Sequence, residues 1–288
     1  MTSTIHPAAR IGAVALAVTD LDRAVRFYTA ILGMKEMGTT AVSPWRTFGA
    51  GEQALIHLTQ AAGDPLDSRR PGLFHMAILM PDRFALARIL YQLAEANYRL
   101  QGASDHGVSE ALYLADPLGN GIELYTDRPV SEWPRDQKGE LEMVTNPLNL
   151  DHLLFVLKDR LEPWQGMDPR TRMGHVHLQV SDIPTAEQFY TQVIGFELQQ
   201  RYGSAAAFLS AGGYHHHVGF NTWNSRGAAP APADAAGLRY FEVLLPDSAA
   251  LDEVTARAAA VELPRESLND GVLLKDPSGN GILLKVEG

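Results

Sequence analysis

Apolar and polar residues alternate across residues 11–20, the period of a half-buried strand. Residues 21–32 switch to helical spacing, and Gly33 stands where such a helix would close. The same pattern returns at 173–195, shifted by 162 positions, with Phe189-Tyr190 on Phe27-Tyr28 and Gly195 on Gly33. Short strands are predicted after each helix, at 46–48 and 54–59 in the first copy and at 205–210 and 215–221 in the second. Another pair of repeats follows the same plan. Residues 72–82 read as a strand and turn, 84–96 as a helix, and 111–114 and 121–125 as strands. Their counterpart opens with a strand at 237–247 and a helix at 249–260. The chain therefore reads as four βαβββ modules of about 50 residues each, numbered here first to fourth.

Segments rich in Pro, Ala and charge join the modules at 64–70 and 224–236. A longer Pro-containing stretch separates the two pairs. The expected organisation is an N-terminal domain at 1–130, a linker at 131–171 and a C-terminal domain at 172–288, all of α+β class.

One turn is duplicated with a telling difference. Asp116-Pro117-Leu118-Gly119-Asn120-Gly121-Ile122-Glu123-Leu124 recurs as Asp276-Pro277-Ser278-Gly279-Asn280-Gly281-Ile282-Leu283-Leu284. The turn and the strand are kept, but Glu123 is replaced by Leu283. A carboxylate between Ile122 and Leu124 needs a partner or a metal if the strand is buried.

Charge and composition narrow the chemistry. A net charge of -10 argues against a nucleic-acid surface, which needs clustered Lys and Arg. No apolar run approaches a membrane span, and the first ten residues lack the apolar core of a signal peptide. With no Cys and 10 His, imidazole and carboxylate are the available metal ligands. A Cys-free chain fits a cytoplasmic location.

Four further stretches combine with this plan: Gly72-Leu73-Phe74-His75, the strand residues 109–113, Gly174-His175-Val176-His177-Leu178-Gln179-Val180, and Gly213-Tyr214-His215-His216-His217-Val218-Gly219. Together with the Asp116 turn they resemble the vicinal oxygen chelate superfamily of glyoxalases, bleomycin-resistance proteins and extradiol dioxygenases. Within it they are most similar to the two-domain bacterial catechol 2,3-dioxygenases. The resemblance implies two cupped mixed sheets, each made by two modules. It implies a mononuclear Fe(II) held by two His and one Glu, with Mn(II) suited to the same donors. A small aromatic diol and O2 would be the substrates, opened to a 2-hydroxymuconic semialdehyde-type product. Homo-oligomers are common in the family.

The resemblance also places candidate ligands at the first and last strands of each module. Pairing the second and third modules gathers His75, Glu123 and His175, with Gly219 at the fourth corner. Pairing the first and second gathers His57, His75 and Glu123 instead. His175 matches the family's ligand position, while His177 shares its strand face. His216 matches the family's catalytic His, a proton shuttle close to O2. Strand parity groups Gly219 with His215 and His217, so a bulge is expected there. His106 and Tyr113 match pocket residues that hydrogen-bond substrate oxygens. Two other functions suit the scaffold. A glyoxalase or isomerase would need a fourth protein ligand, and a binding or resistance protein would need no triad.

Overall fold

The computed structural model describes residues 4–38, 44–160, 162–268 and 271–287. Two curled mixed sheets fill it. The eight-stranded sheet runs in the order Glu266–Leu268, Gly271–Lys275, Gly281–Val286, Gly237–Leu245, Arg10–Val18, Gln53–Gln60, Arg46–Ala50 and Lys35–Met37. The nine-stranded sheet runs Glu197–Tyr202, Ala206–Ser210, Val218–Asn221, Arg172–Gln179, Gly72–Leu79, Gly121–Asp127, Ser109–Ala115, Gly102–Asp105 and Asn146–Pro147. The fourth module thus pairs with the first, and the third with the second. Both seams are antiparallel. One sets His177 opposite His75 and His175 opposite Ala77. The other sets Ala15 opposite Tyr240.

The first strand of each module is central to its sheet and therefore largely buried. Arg10–Val18 is buried along nearly its whole length. The helices pack with both sheets in one common core. Asp82 and Asp247 cap Arg83–Glu95 and Ser248–Ala260, each accepting from the amide three residues on. The helical stretches predicted at 21–32 and at its repeat are not uniform. Leu21–Arg26 and Ile183–Phe189 widen into π-helical turns at Phe27–Ile31 and Tyr190–Ile194. Hydrophobic spacing alone does not separate the two forms. Among the described residues no helix is long and apolar enough to cross a membrane.

The widened turns carry Tyr28 and Tyr190, and these pin the duplicated turn. Tyr28 donates to Asp116 Oδ2 at 3.0 Å, and Tyr190 to Asp276 Oδ2 at 3.1 Å. Asp116 Oδ1 accepts from the amides of Leu118 and Asn120 at 2.8 and 2.9 Å, so the carboxylate organises the turn from inside. Gly119 sits at φ +93°, where a side chain is strained. Gly121 has a different reason: a Cβ there would lie 2.0 Å from the Phe74 carbonyl oxygen. Its repeat, Gly281, meets the Arg239 carbonyl at the same distance. Gly121→Ala is therefore expected to cost about 3 kcal/mol through overpacking, read as a lowered urea midpoint. An unchanged midpoint would show that the two strands can separate there freely.

Candidate metal centre

Gly72–Leu79, Gly121–Asp127 and Arg172–Gln179 are neighbours in the nine-stranded sheet. Their register aligns Tyr113, Glu123, Ala77 and His175 in one row across it. The small Ala77 lets Glu123 and His175 approach over it, and His75 reaches in from the next row. His75 Nε2 lies 3.1 Å from Glu123 Oε2, and His175 Nε2 lies 3.2 Å from the same oxygen. The three ligand atoms fall within 4.8 Å of one another and all three residues are buried. Two ligands about 2.1 Å from one metal at a right angle would be about 3 Å apart, so the set fits an octahedral face. His75 Nε2 is sealed from solvent and makes no hydrogen bond, which leaves its lone pair for a metal.

The electrostatics match a donor set. Burial alone would raise the Glu123 carboxyl, but His175 and His75 beside it outweigh burial and hold it well below the usual range. Burial lowers His175 to about 4, despite the neighbouring Glu123. At neutral pH Glu123 is a carboxylate and His175 a neutral imidazole, the protonation states that metal binding requires of them.

The other sequence candidates are placed as follows. His57 lies in the eight-stranded sheet, where its Nδ1 is 2.9 Å from Thr47 Oγ1 and its Nε2 is 3.6 Å from Glu242 Oε1. It does not join His75. His177 pairs with Gly219, and its ring fills the corner that the glycine leaves, 3.1 Å from where a Cβ would stand. Burial lowers the His177 imidazole well below its ordinary value. The equivalent place in the other sheet is apolar, formed by Ala15, Tyr240 and Leu283. His215, His216 and His217 precede the strand Val218–Asn221 and are not part of it, so no bulge is required to turn His216 inward. The strand expected at 215–221 is shorter, because Tyr214, His215 and His216 pack on Trp133, Tyr125 and His175 instead of pairing.

A cavity of about 470 Å³ opens over the cluster. His75, Glu123, His106, Tyr113 and His216 contribute its polar wall, and Phe74, Val108, Val144, Phe208 and Trp223 much of its apolar one. Among the described residues no Lys or Arg lines it. Its roof comes from the stretch between the second and third modules, Met143 to Thr145. Val144 O accepts from His106 Nδ1 at 2.7 Å, and the Gln200 side chain bonds both the amide and the carbonyl of Met143. That roof was missed in the sequence because its contacts are made by backbone groups. Burial first, then Glu123, raises the Tyr113 phenol well above its ordinary value.

The duplicated scaffold agrees with the comparisons. The model for the Glyoxalase/Bleomycin resistance protein/Dioxygenase superfamily matches residues 10–124 and 172–284. The chain belongs to that superfamily. A catechol-2,3-dioxygenase of Bacillus subtilis (strain 168) is 40% identical over 280 residues, covering 96% of each chain. This relative supports a dioxygenase-like enzyme. A solved structure of a putative dioxygenase from B. subtilis superposes with a TM-score of 0.66 at 11% identity, over 99% of this chain and 86% of that one. Glyoxalase I from Zea mays superposes with a TM-score of 0.57 at 16% identity, over 96% and 92%. At such identities these two structures speak for the superfamily fold alone.

Proposed function

We propose that the chain is an extradiol dioxygenase that opens catechol or a substituted catechol with O2, at a mononuclear Fe(II) held by His75, Glu123 and His175. The observation that carries this is a buried two-His, one-carboxylate cluster at the foot of an aromatic-lined cavity. Such a triad leaves coordination positions free for a chelating diol and O2. Iron, when bound, would supply electron transfer between the two substrates. Mn(II) suits the same donors.

The protein's own groups would bind and orient the diol. His106 Nδ1 donates to the Val144 carbonyl, which leaves Nε2 to accept. Tyr113 lies 2.7 Å away and donates to that nitrogen, leaving its phenolic oxygen able to accept from a substrate hydroxyl. His216 faces the same cavity from the opposite sheet edge and would act as acid–base partner for the reacting oxygens. Burial pushes its imidazole well below the ordinary value, so the resting ring is neutral. The apolar walls exclude water. With no cation among the described lining residues, ring substituents would be uncharged.

The test is anaerobic loading with Fe(II), then catechol and air. The expected result is one O2 consumed per catechol and a yellow ring-opened product. Iron binding without O2 uptake would remove the reaction and keep the site. Failure to bind any divalent metal would remove both.

A further inference from the structure

We propose that Asp127 and His215 are positioning residues that fix the tautomer of His216, so that its Nε2 is bare toward the cavity. This rests on the functional reading above only for its catalytic consequence.

Which atoms can donate decides the tautomer. Asp127 ends the strand Gly121–Asp127 and shares the face of Glu123 and Tyr125 by two-residue alternation. Its Oδ1 lies 2.9 Å from His215 Nε2. The Tyr214 hydroxyl lies 3.0 Å from Oδ2 and 3.2 Å from Oδ1, and the Tyr125 hydroxyl lies 2.7 Å from Tyr214. A carboxylate can only accept, so His215 Nε2 carries the hydrogen that points at Asp127. With its ring hydrogen placed there, His215 has a lone pair on Nδ1. That lone pair faces His216 Nδ1 at 2.8 Å, so the hydrogen between the rings belongs to His216 Nδ1. One hydrogen per neutral ring is thereby used, and His216 Nε2 is left without one.

The rings are held as firmly as the hydrogens. His216 packs on His175 with ring centres 3.9 Å apart, and the Phe208 edge meets it at 5.0 Å. Trp133 lies 5.4 Å from the His215 ring. Both rings are buried. Both nitrogens of His215 are engaged, so although His175, His215 and His216 cluster closely enough to hold an ion, His215 has no lone pair to give one. The trio is a hydrogen-bonded support for His216. The bare Nε2 would accept the hydrogen bond of a diol hydroxyl, where the other tautomer would present a second donor to it.

Proton-detected nitrogen-15 spectra of the histidine rings read the tautomer directly, in the full chain without metal and again with Zn(II), which is diamagnetic. The expected result is a protonated Nδ1 and a bare Nε2 for His216 in both. Asp127→Leu, close in size with no acceptor, is expected to give a mixture of tautomers. Asp127→Asn keeps an acceptor oxygen and is expected to restore the single form. With Fe(II), Asp127→Leu is expected to keep wild-type iron content while kcat falls by about 10-fold or more, part of what a positioned acid–base group contributes. A hydrogen on Nε2 in the wild-type chain would overturn the proposal. So would an unchanged tautomer in Asp127→Leu, even with reduced kcat, because its effect would then be structural. If Asp127→Leu does not fold, His215→Leu breaks the same chain one link later and carries the same expectation. The tautomer is read without turnover. A wild-type chain with the expected tautomer and no ring cleavage would sink the functional reading and leave this one standing.

Discussion

Glu123→Leu is expected to abolish divalent metal binding while leaving the metal-free protein as stable as before. The chain has already made this substitution in its own repeat, where Leu283 is buried beside Ala15 and Tyr240. A leucine is therefore compatible with the turn and strand. Removing the carboxylate leaves His175 as a neutral imidazole, since burial lowers it to about 4. Replacing buried polar clusters by apolar residues is often neutral or stabilising by about 1–4 kcal/mol. The metal loss should be large. Altering groups that merely support a ligand costs roughly 10–100-fold in affinity, so losing the single carboxylate should exceed 100-fold. Thermal melts with and without added Mn(II) separate the two effects. Wild type should gain about 2.7 kcal/mol at 100 times its dissociation constant, and the variant nothing. Retained metal-dependent stabilisation in Glu123→Leu would take Glu123 out of the ligand set.

His175→Ala and His57→Ala should behave in opposite ways. Loss of His175 is expected to lower metal affinity by more than about 100-fold and to end ring cleavage. His57→Ala should retain metal content and activity. His57 lies in the other sheet, bonded to Thr47 and beside Glu242. Its loss should cost about 1 kcal/mol, because buried Glu242 would keep only the Ala13 amide and Lys285 close by. Activity that survives in His175→Ala and disappears in His57→Ala would reverse the assignment and put the chemistry in the eight-stranded sheet.

The four modules were legible because alternation and helical spacing recur at a fixed offset, and because the Asp116 turn is copied almost residue for residue. The sequence left the module pairing open between His57 and His175. The sheet order resolves it through contacts between distant strands, which no local pattern encodes. His175 and His177 were indistinguishable by strand parity. The register separates them: His175 shares a row with Glu123, and His177 is turned into the space of Gly219. His216 was assigned a role while its strand was misjudged, because a run of three His gives no sign of where pairing starts. Asp127 was overlooked, although it stands four residues after Glu123 in the same alternating strand. Its importance depends on Tyr214 and His215, which lie far away in the chain. The cavity roof at 143–145 is made by main-chain bonds and leaves no side-chain signature.

The two seams are nested like brackets. The inner one joins Leu79 to Arg172, and the outer one joins Arg10 to Leu244 across a much longer stretch of chain. The entropy lost in closing a loop grows with its length, so the inner seam is the cheaper to form first. During synthesis its last strand, Val218–Asn221, also emerges before Gly237–Leu245 exists to complete the outer sheet. Assembly order thus favours the sheet that carries Glu123 and His175. The eight-stranded sheet closes afterwards as a clasp, and damage confined to its final strands would loosen a centre already built.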